Sequence, residues 1–293
     1  GRSGKLSAAG EILNVDNSLL TPLNHSRDSA GLRYVYPVVS RRAGGVSIGI
    51  NLNPNNACNW RCIYCQVPGL KRGSAPPVDL ALLEKELRGF LHEVQHGAFM
   101  QRVPSGMRRI NDIALSGNGE PTSAQEFAEV IEFIGSLKPP ELKLVLITNG
   151  SLMQRAMVQQ GLRRLAQLNG EVWFKLDRAD EAGKALVNDT RTTPAAVRRN
   201  LAIAITCCPN TWLQTCWFAL DGVAPGKQDE DDYLDFLAGL LRDDIRPQGI
   251  FLYGLARPSL QAEAPRLSAV PPQQMETFAA RLRALGVAVK SID

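Results

Sequence analysis

The sequence predicts an α/β fold, a sheet of parallel strands with helices outside, in about six strand–helix units behind an N-terminal extension. Three observations carry this. Short apolar segments at 46–51, 112–116, 143–148, 171–177, 211–220 and 249–253 alternate with stretches of helical periodicity. The run Lys143-Leu-Val-Leu-Ile-Thr148 is almost continuously apolar, as in a parallel strand buried on both faces. The three-cysteine loop after 46–51, Gly117-Asn-Gly-Glu120 and Thr148-Asn149 all fall at the carboxyl ends of strands, where such folds place their chemistry.

Taken in order, residues 1–45 read as the extension and 46–293 as the core domain. The extension has little apolar periodicity and a polar patch at His25, Arg27 and Asp28. It is either a surface arm or an arm that offers Arg33, Arg41 and Arg42 to a phosphate or carboxylate. Val46–Asn51 alternates as a first strand. A helix follows over about 78–96, capped by Asp79, with Leu83, Leu87, Phe90 and Val94 on one face. Later helices are expected near 123–134, 152–168, 194–205, 233–241 and 273–285, and Val287–Lys290 reads as the start of one more strand.

The chain has 293 residues, 44% of them hydrophobic and 21% charged, enough for a sizeable core. Its net charge of +4 is compatible with a nucleic-acid partner without requiring one. No apolar run has the length of a membrane span, and the first residues lack a signal-peptide core. The six cysteines stand in two clusters, which favours a reducing compartment and metal or catalytic use, so a cytoplasmic location is expected.

The chemistry centres on Cys58-Asn-Trp-Arg-Cys62-Ile-Tyr64-Cys65. A structural zinc site closes with four ligands and a ferredoxin-type cluster uses four thiolates, so three cysteines leave one metal corner open. Zinc binding, a redox pair and structural thiols are the alternatives. After the second strand comes Ser116-Gly117-Asn118-Gly119-Glu120-Pro121. Here glycines admit close backbone approach and Glu120 offers a carboxylate to a cation; the alternative is a Gly-rich turn with an acid at a helix start. Thr148, Asn149, Lys175 and Asp177 end the third and fourth strands and are expected to face the same cavity. Lys175 and Asp177 are either ligand contacts or an ion pair at its mouth. Cys207, Cys208 and Cys216 are read as buried apolar thiols, a second cluster, or, for Cys216, a hydrogen-donor thiol. His92 and His96 read as a solvated helix end.

The CxxxCxxC loop with an aromatic before its last cysteine, together with Gly117-Asn-Gly-Glu120-Pro, resembles the radical S-adenosylmethionine (SAM) superfamily. Asn118 stands where the second Gly of that family's motif is usual. The resemblance implies a partial (β/α)6 TIM-like barrel. It also implies one 4Fe–4S cluster held by Cys58, Cys62 and Cys65, and SAM as cofactor, reductively cleaved to a deoxyadenosyl radical that abstracts hydrogen from substrate. Ser116, Gly117, Asn118, Gly119 and Glu120 would bind the SAM amino group, the main chain around Tyr64 the adenine, and Lys175 or Asp177 the ribose or carboxylate. An electron donor such as flavodoxin or ferredoxin is implied. The segments at 33–42 and 251–258 are similar to the wyosine-synthase-like branch, which modifies tRNA, and imply an RNA base or nucleotide as substrate. Wyosine synthases carry additional N-terminal cysteines, and residues 1–45 here contain none. A peptide substrate and a non-catalytic iron–sulfur or zinc protein are the other readings.

Overall fold

The computed structural model describes residues 31–40 and 44–292, together with two strand fragments, Lys5–Leu6 and Ile12–Leu13, that pair antiparallel. His25, Arg27, Asp28, Arg41 and Arg42 lie outside the described residues.

Strands β1 (Val35–Ser40) and β2 (Gly45–Ile50) form an antiparallel hairpin. Then follow α1 (Leu80–His96), β3 (Ile110–Leu115), α2 (Phe127–Leu137), β4 (Lys143–Thr148), α3 (Ala156–Gln167) and β5 (Glu171–Lys175). After these come α4 (Glu181–Asn188), α5 (Pro194–Cys207), β6 (Thr211–Cys216), β7 (Phe218–Leu220) and α6 (Lys227–Arg242). The chain closes with β8 (Ile250–Tyr253), β9 (Leu267–Ala269), α7 (Pro272–Arg283) and β10 (Val289–Ile292).

The main sheet has eight strands in the order β10-β8-β6-β5-β4-β3-β2-β1. All neighbours from β2 to β10 are parallel. Sequential strands therefore lie side by side with a helical crossover between them, as parallel pairing requires. The sheet is open: β1 and β10 are its edges and do not meet.

The two faces differ because side chains alternate along each strand. On one face Val46, Ile48, Ile50, Leu144, Leu146, Val172, Phe174, Leu213, Ile250 and Leu252 are buried under the helices and form the main core. On the other, Tyr36, Ser47, Asp112, Ile147, Trp173, Lys175, Gln214, Cys216 and Tyr253 line a cavity of about 340 Å³. Asp79 caps α1 as expected, its Oδ1 accepting the Leu82 N–H at 3.0 Å. Buried Glu86 on the same helix accepts Tyr34 N at 2.9 Å, fixing the entry to β1.

Three expectations are revised. Residues 35–40, assigned to the extension, are the antiparallel edge strand of the sheet. The segment 211–220 is two strands, because the chain turns at Trp217 and β7 leaves to pair antiparallel with β9. Val289–Ile292 adds a seventh parallel strand beside β8, so the sheet exceeds six units. Among the described residues no helix is long and apolar enough to cross a membrane.

Candidate functional site

The cysteine loop is held from three sides. Below it, Asn51 Oδ1 accepts both Asn53 N and Asn118 N at 3.0 Å, and Asn53 Nδ2 donates to Ala57 O at 3.0 Å. These bonds tie the loop to the turn after β3. On one flank, Arg61 N and Ile63 N donate to the carbonyls of Asn188 and Val187 at 3.1 and 3.0 Å. Those carbonyls end α4 and lack partners within the helix. On the other flank, the segment after β8 closes over the loop. Leu260 N and Gln261 Nε2 donate to Cys65 O at 3.0 and 3.1 Å, and Ser259 Oγ to Ile63 O at 2.7 Å. The Arg61 guanidinium grips both oxygens of Glu263 at 3.0 and 2.5 Å. All three thiols, Cys58, Cys62 and Cys65, are free and line the cavity. Burial pushes the Cys58 thiol up to about 12 and the Cys62 thiol to about 11.

Glu120 stands opposite. It is buried, and its Oε2 accepts Thr148 Oγ1 at 2.6 Å, Thr122 N at 3.2 Å and the Thr122 hydroxyl. Its Oε1 accepts Asn149 N at 2.7 Å and retains acceptor capacity on the cavity side. Burial raises this carboxyl above its ordinary value, against the pull of these four bonds. The glycines flanking Asn118 are dictated by close approach. At Gly119 a Cβ would lie 2.0 Å from Ala57 O, and at Gly117, with φ +146°, 2.4 Å from Asn51 Oδ1. Asn118 is tolerated between them because its amide turns toward Asn56 Oδ1, 2.7 Å away. Thr148 and Asn149 thus serve first as the cradle of Glu120. The Asn149 amide also reaches Asn59 in the cysteine loop at 2.8 Å.

Lys175 lines the cavity as expected, and its Nζ donates to Tyr64 Oη at 2.7 Å. Asp177 does not face the cavity. The strand ends at Lys175, so the alternation that would aim Asp177 inward stops. Its buried carboxylate sits behind the wall, accepting Tyr64 Oη at 2.6 Å, Asn188 Nδ2 at 2.9 Å and Cys216 N at 2.8 Å. Asn188 Nδ2 also approaches Cys62 Sγ at 3.3 Å. Asp177 is therefore a positioning group for Tyr64 and the loop. The main chain flanking Tyr64 is already engaged, at Ile63 N and O and at Cys65 N and O. The Tyr64 ring packs edge-on against Phe218, 5.6 Å between centroids.

Trp173, which the period of two puts on Lys175's face, lines the cavity, and so does Cys216. Other lining residues escaped the sequence reading: Gln214 and Tyr253 share that face through the strand register, and the same period was the available signal. Tyr36 and Ser47 come from the edge hairpin and Asp112 from the start of β3. Buried Lys184, on α4, lies 4.9 Å from the Trp60 ring, and burial lowers its amine to about 8. Cys207 ends α5 and Cys208 caps it, at the far end of the sheet, with Cys208 Sγ 3.7 Å from Gly170 O.

Among the described residues no three metal-binding side chains converge on one point. In a 4Fe–4S cubane each thiolate binds a different iron, so its sulfurs need not converge on one point. Three unpaired thiols on one cavity wall, with a loop already clamped, fit such a group in the chemistry of the donor set.

No protein-family model matches the chain. A UPF0026 protein of Helicobacter pylori (strain ATCC 700392 / 26695) is 31% identical over 147 residues, covering 49% of this chain and 42% of that protein, so the match spans less than half of the relative's length. A radical SAM methyltransferase from Sphaerobacter thermophilus superposes with a TM-score of 0.58 at 14% identity, over 94% of this chain and 77% of the other. TYW1 with a lysine–pyruvate adduct bound superposes with a TM-score of 0.55 at 14% identity, over 81% of this chain and 73% of the other. The chain has the mixed α/β fold, with a mainly parallel central sheet, of radical SAM enzymes.

Proposed function

We propose that the chain is a radical SAM enzyme in which Cys58, Cys62 and Cys65 hold one 4Fe–4S cluster and the adjoining cavity holds SAM. The observation that carries this is the convergence on one cavity of three free thiols and the cradled Glu120 carboxylate, at the carboxyl ends of sequential parallel strands. The open sheet then corresponds to a partial barrel. Held by Cys58, Cys62 and Cys65, such a cluster would supply the one-electron reduction that cleaves SAM for hydrogen abstraction from substrate.

The chain's own residues do the positioning. Glu120 Oε1 accepts from the SAM amino group, while Thr122, Thr148 and Asn149 keep the carboxylate in place. Gly117 and Gly119 let that turn lie against the cysteine loop without a side chain between them. Lys175, held by Tyr64, supplies a cation for the carboxylate or ribose of SAM, and Asp177 fixes Tyr64 from behind. The segment after β8 covers the loop and keeps water from the reacting centre. An RNA base or nucleotide is the proposed substrate class. A one-electron donor such as flavodoxin or ferredoxin in a reducing cytoplasm is the proposed partner.

The test is cofactor retention. After anaerobic reconstitution the wild type should keep about four irons and four sulfides per chain. Cys62→Ser should keep far fewer, and Glu120→Gln should keep the iron but bind SAM more weakly in equilibrium dialysis. A wild type that retains only one zinc would refute the reading.

A further inference from the structure

The cavity runs down the sheet from the cysteine loop to a floor built by Val38, Ser47 and Asp112. These three occupy paired register positions on β1, β2 and β3. Asp112 lies four residues before Ser116, which lines the cavity near its mouth. At ~3.3 Å per strand residue the floor is roughly 13 Å deeper. It is separate from both the thiols and the Glu120 cradle.

The floor is rich in hydrogen-bond acceptors. Asp112 is 6% exposed, yet it lines the cavity. The Ser47 hydroxyl donates to its Oδ1. Among the described residues nothing donates to its other oxygen. The paired cation on β4, Lys143, is engaged 2.8 Å from Glu171 Oε1. Higher on the wall, the Gln214 amide N–H is taken up by Trp173 O at 3.2 Å, which leaves the amide oxygen as an acceptor. The Tyr36 ring lies across Gly49, where a Cβ would come within 2.2 Å of it, and closes the near side. A carboxylate this buried needs a donor on its free oxygen, and from the cavity that donor is either water or an N–H of a ligand that displaces it. Burial accordingly raises this carboxyl above its ordinary value. Phosphate and carboxylate groups would be repelled here.

We propose that the Asp112–Ser47 floor is a substrate subsite for a nitrogen group that donates hydrogen bonds, an amine or the amino edge of a nitrogen heterocycle. This deepens the proposed function and rests on it, since the occupant reaches past SAM held at the mouth. The selectivity is chemical: Asp112 engages an N–H and discriminates against an equally sized group without one.

The experiment uses the full chain, anaerobically reconstituted and saturated with SAM. Ligand-observed NMR follows butylamine and 2-aminopyridine, with butyrate and pyridine as matched controls. Saturable binding of at least one nitrogen donor, absence of both controls, and loss of about tenfold or more in affinity in Asp112→Asn support the subsite. Which donor binds distinguishes an aliphatic amine from a heterocycle edge. Ser47→Ala, which leaves the carboxylate in place, should weaken binding less and guards against a misfolded Asp112→Asn. Failure of both donors to bind, or unchanged affinity in Asp112→Asn, overturns the subsite. SAM binding measured on the same samples keeps the outcomes apart. SAM bound without any donor overturns the subsite alone, whereas no SAM binding in the wild type overturns the reading of the whole cavity.

Discussion

Replacing Asp177 with asparagine should destabilise the protein although the residue touches neither solvent nor the cavity. Its carboxylate accepts Tyr64 Oη and Asn188 Nδ2 on Oδ2 and Cys216 N on Oδ1. Asparagine keeps the size and can still accept from Cys216. Its amide nitrogen, however, meets two donors where an acceptor stood. Each hydrogen bond to a buried charged group is worth ~1.5–3 kcal/mol, so two lost bonds set an upper range of ~3–6 kcal/mol. Asn188 Oδ1 is buried without a partner, so its amide can turn over and accept from the new nitrogen. That recovers one of the two bonds and leaves a cost of roughly 1.5–3 kcal/mol. At about 2–3 °C per kcal/mol for a chain of this length, the metal-free protein should lose roughly 3–9 °C in Tm. Turning Asn188 also withdraws its N–H from Cys62 Sγ, so cluster retention should fall with stability. Scanning calorimetry of wild type, Asp177→Asn, Tyr64→Phe and the double variant tests both parts. Tyr64→Phe removes one of the two affected bonds, so the double variant should cost less than the sum. A Tm within ~2 °C of wild type for Asp177→Asn, or strict additivity, would refute the network as described.

Other outcomes follow from single groups. Gly119→Ala places a methyl against Ala57 O, so the cysteine loop and the Glu120 turn must separate, and iron content after reconstitution should drop with the helices intact by circular dichroism. The buried thiols of Cys58 and Cys62 hold their protons at neutral pH in the metal-free protein, so cluster loading should release at least these two and proceed more readily at pH 8.5 than at about 6.5. Loading that is indifferent to pH would contradict their burial. Lys184 has a folded-state value of about 8, below that of an unfolded lysine. The unfolded chain therefore binds more protons between about pH 8 and 10, and stability of the metal-free protein gains a rising contribution across that window. Lys184→Met should abolish the rise, read as urea midpoints at pH 7.5, 8.5 and 9.5. An unchanged pH slope would show that the amine is solvated.

How much of this was legible depends on where the information is local. Strand–helix alternation is local, and the units from Val46 to Tyr253 were readable from apolar periodicity, with Lys143–Thr148 read to the residue. The edge strand β1 was not: it contains Pro37 and few alternating polar residues, and its membership in the sheet is a matter of pairing across the fold. At the other edge Val287–Lys290 read as the start of one more strand, and β10 runs Val289–Ile292 after a turn at Gly286, φ +87°. The thiols and Glu120 stood out because their types and spacings are unusual. Asp177 misled because period-two reasoning assumes that the strand continues, whereas three buried donors claim its carboxylate instead. Asp112 was passed over as an ordinary strand residue, since only the assembled sheet shows that its face borders a cavity. Lys184 and Asn188 lie 124 and 126 residues from the loop residues they meet, Trp60 and Cys62, beyond any local pattern.

The most direct test of the radical SAM assignment is SAM cleavage. Wild type and Cys62→Ala are reconstituted anaerobically with iron and sulfide, reduced with dithionite, given SAM, and assayed for deoxyadenosine and methionine. Both products from the wild type and neither from the variant are the expected result. A wild type that carries the cluster and binds no SAM, or a variant that yields as much deoxyadenosine as the wild type, would contradict the assignment.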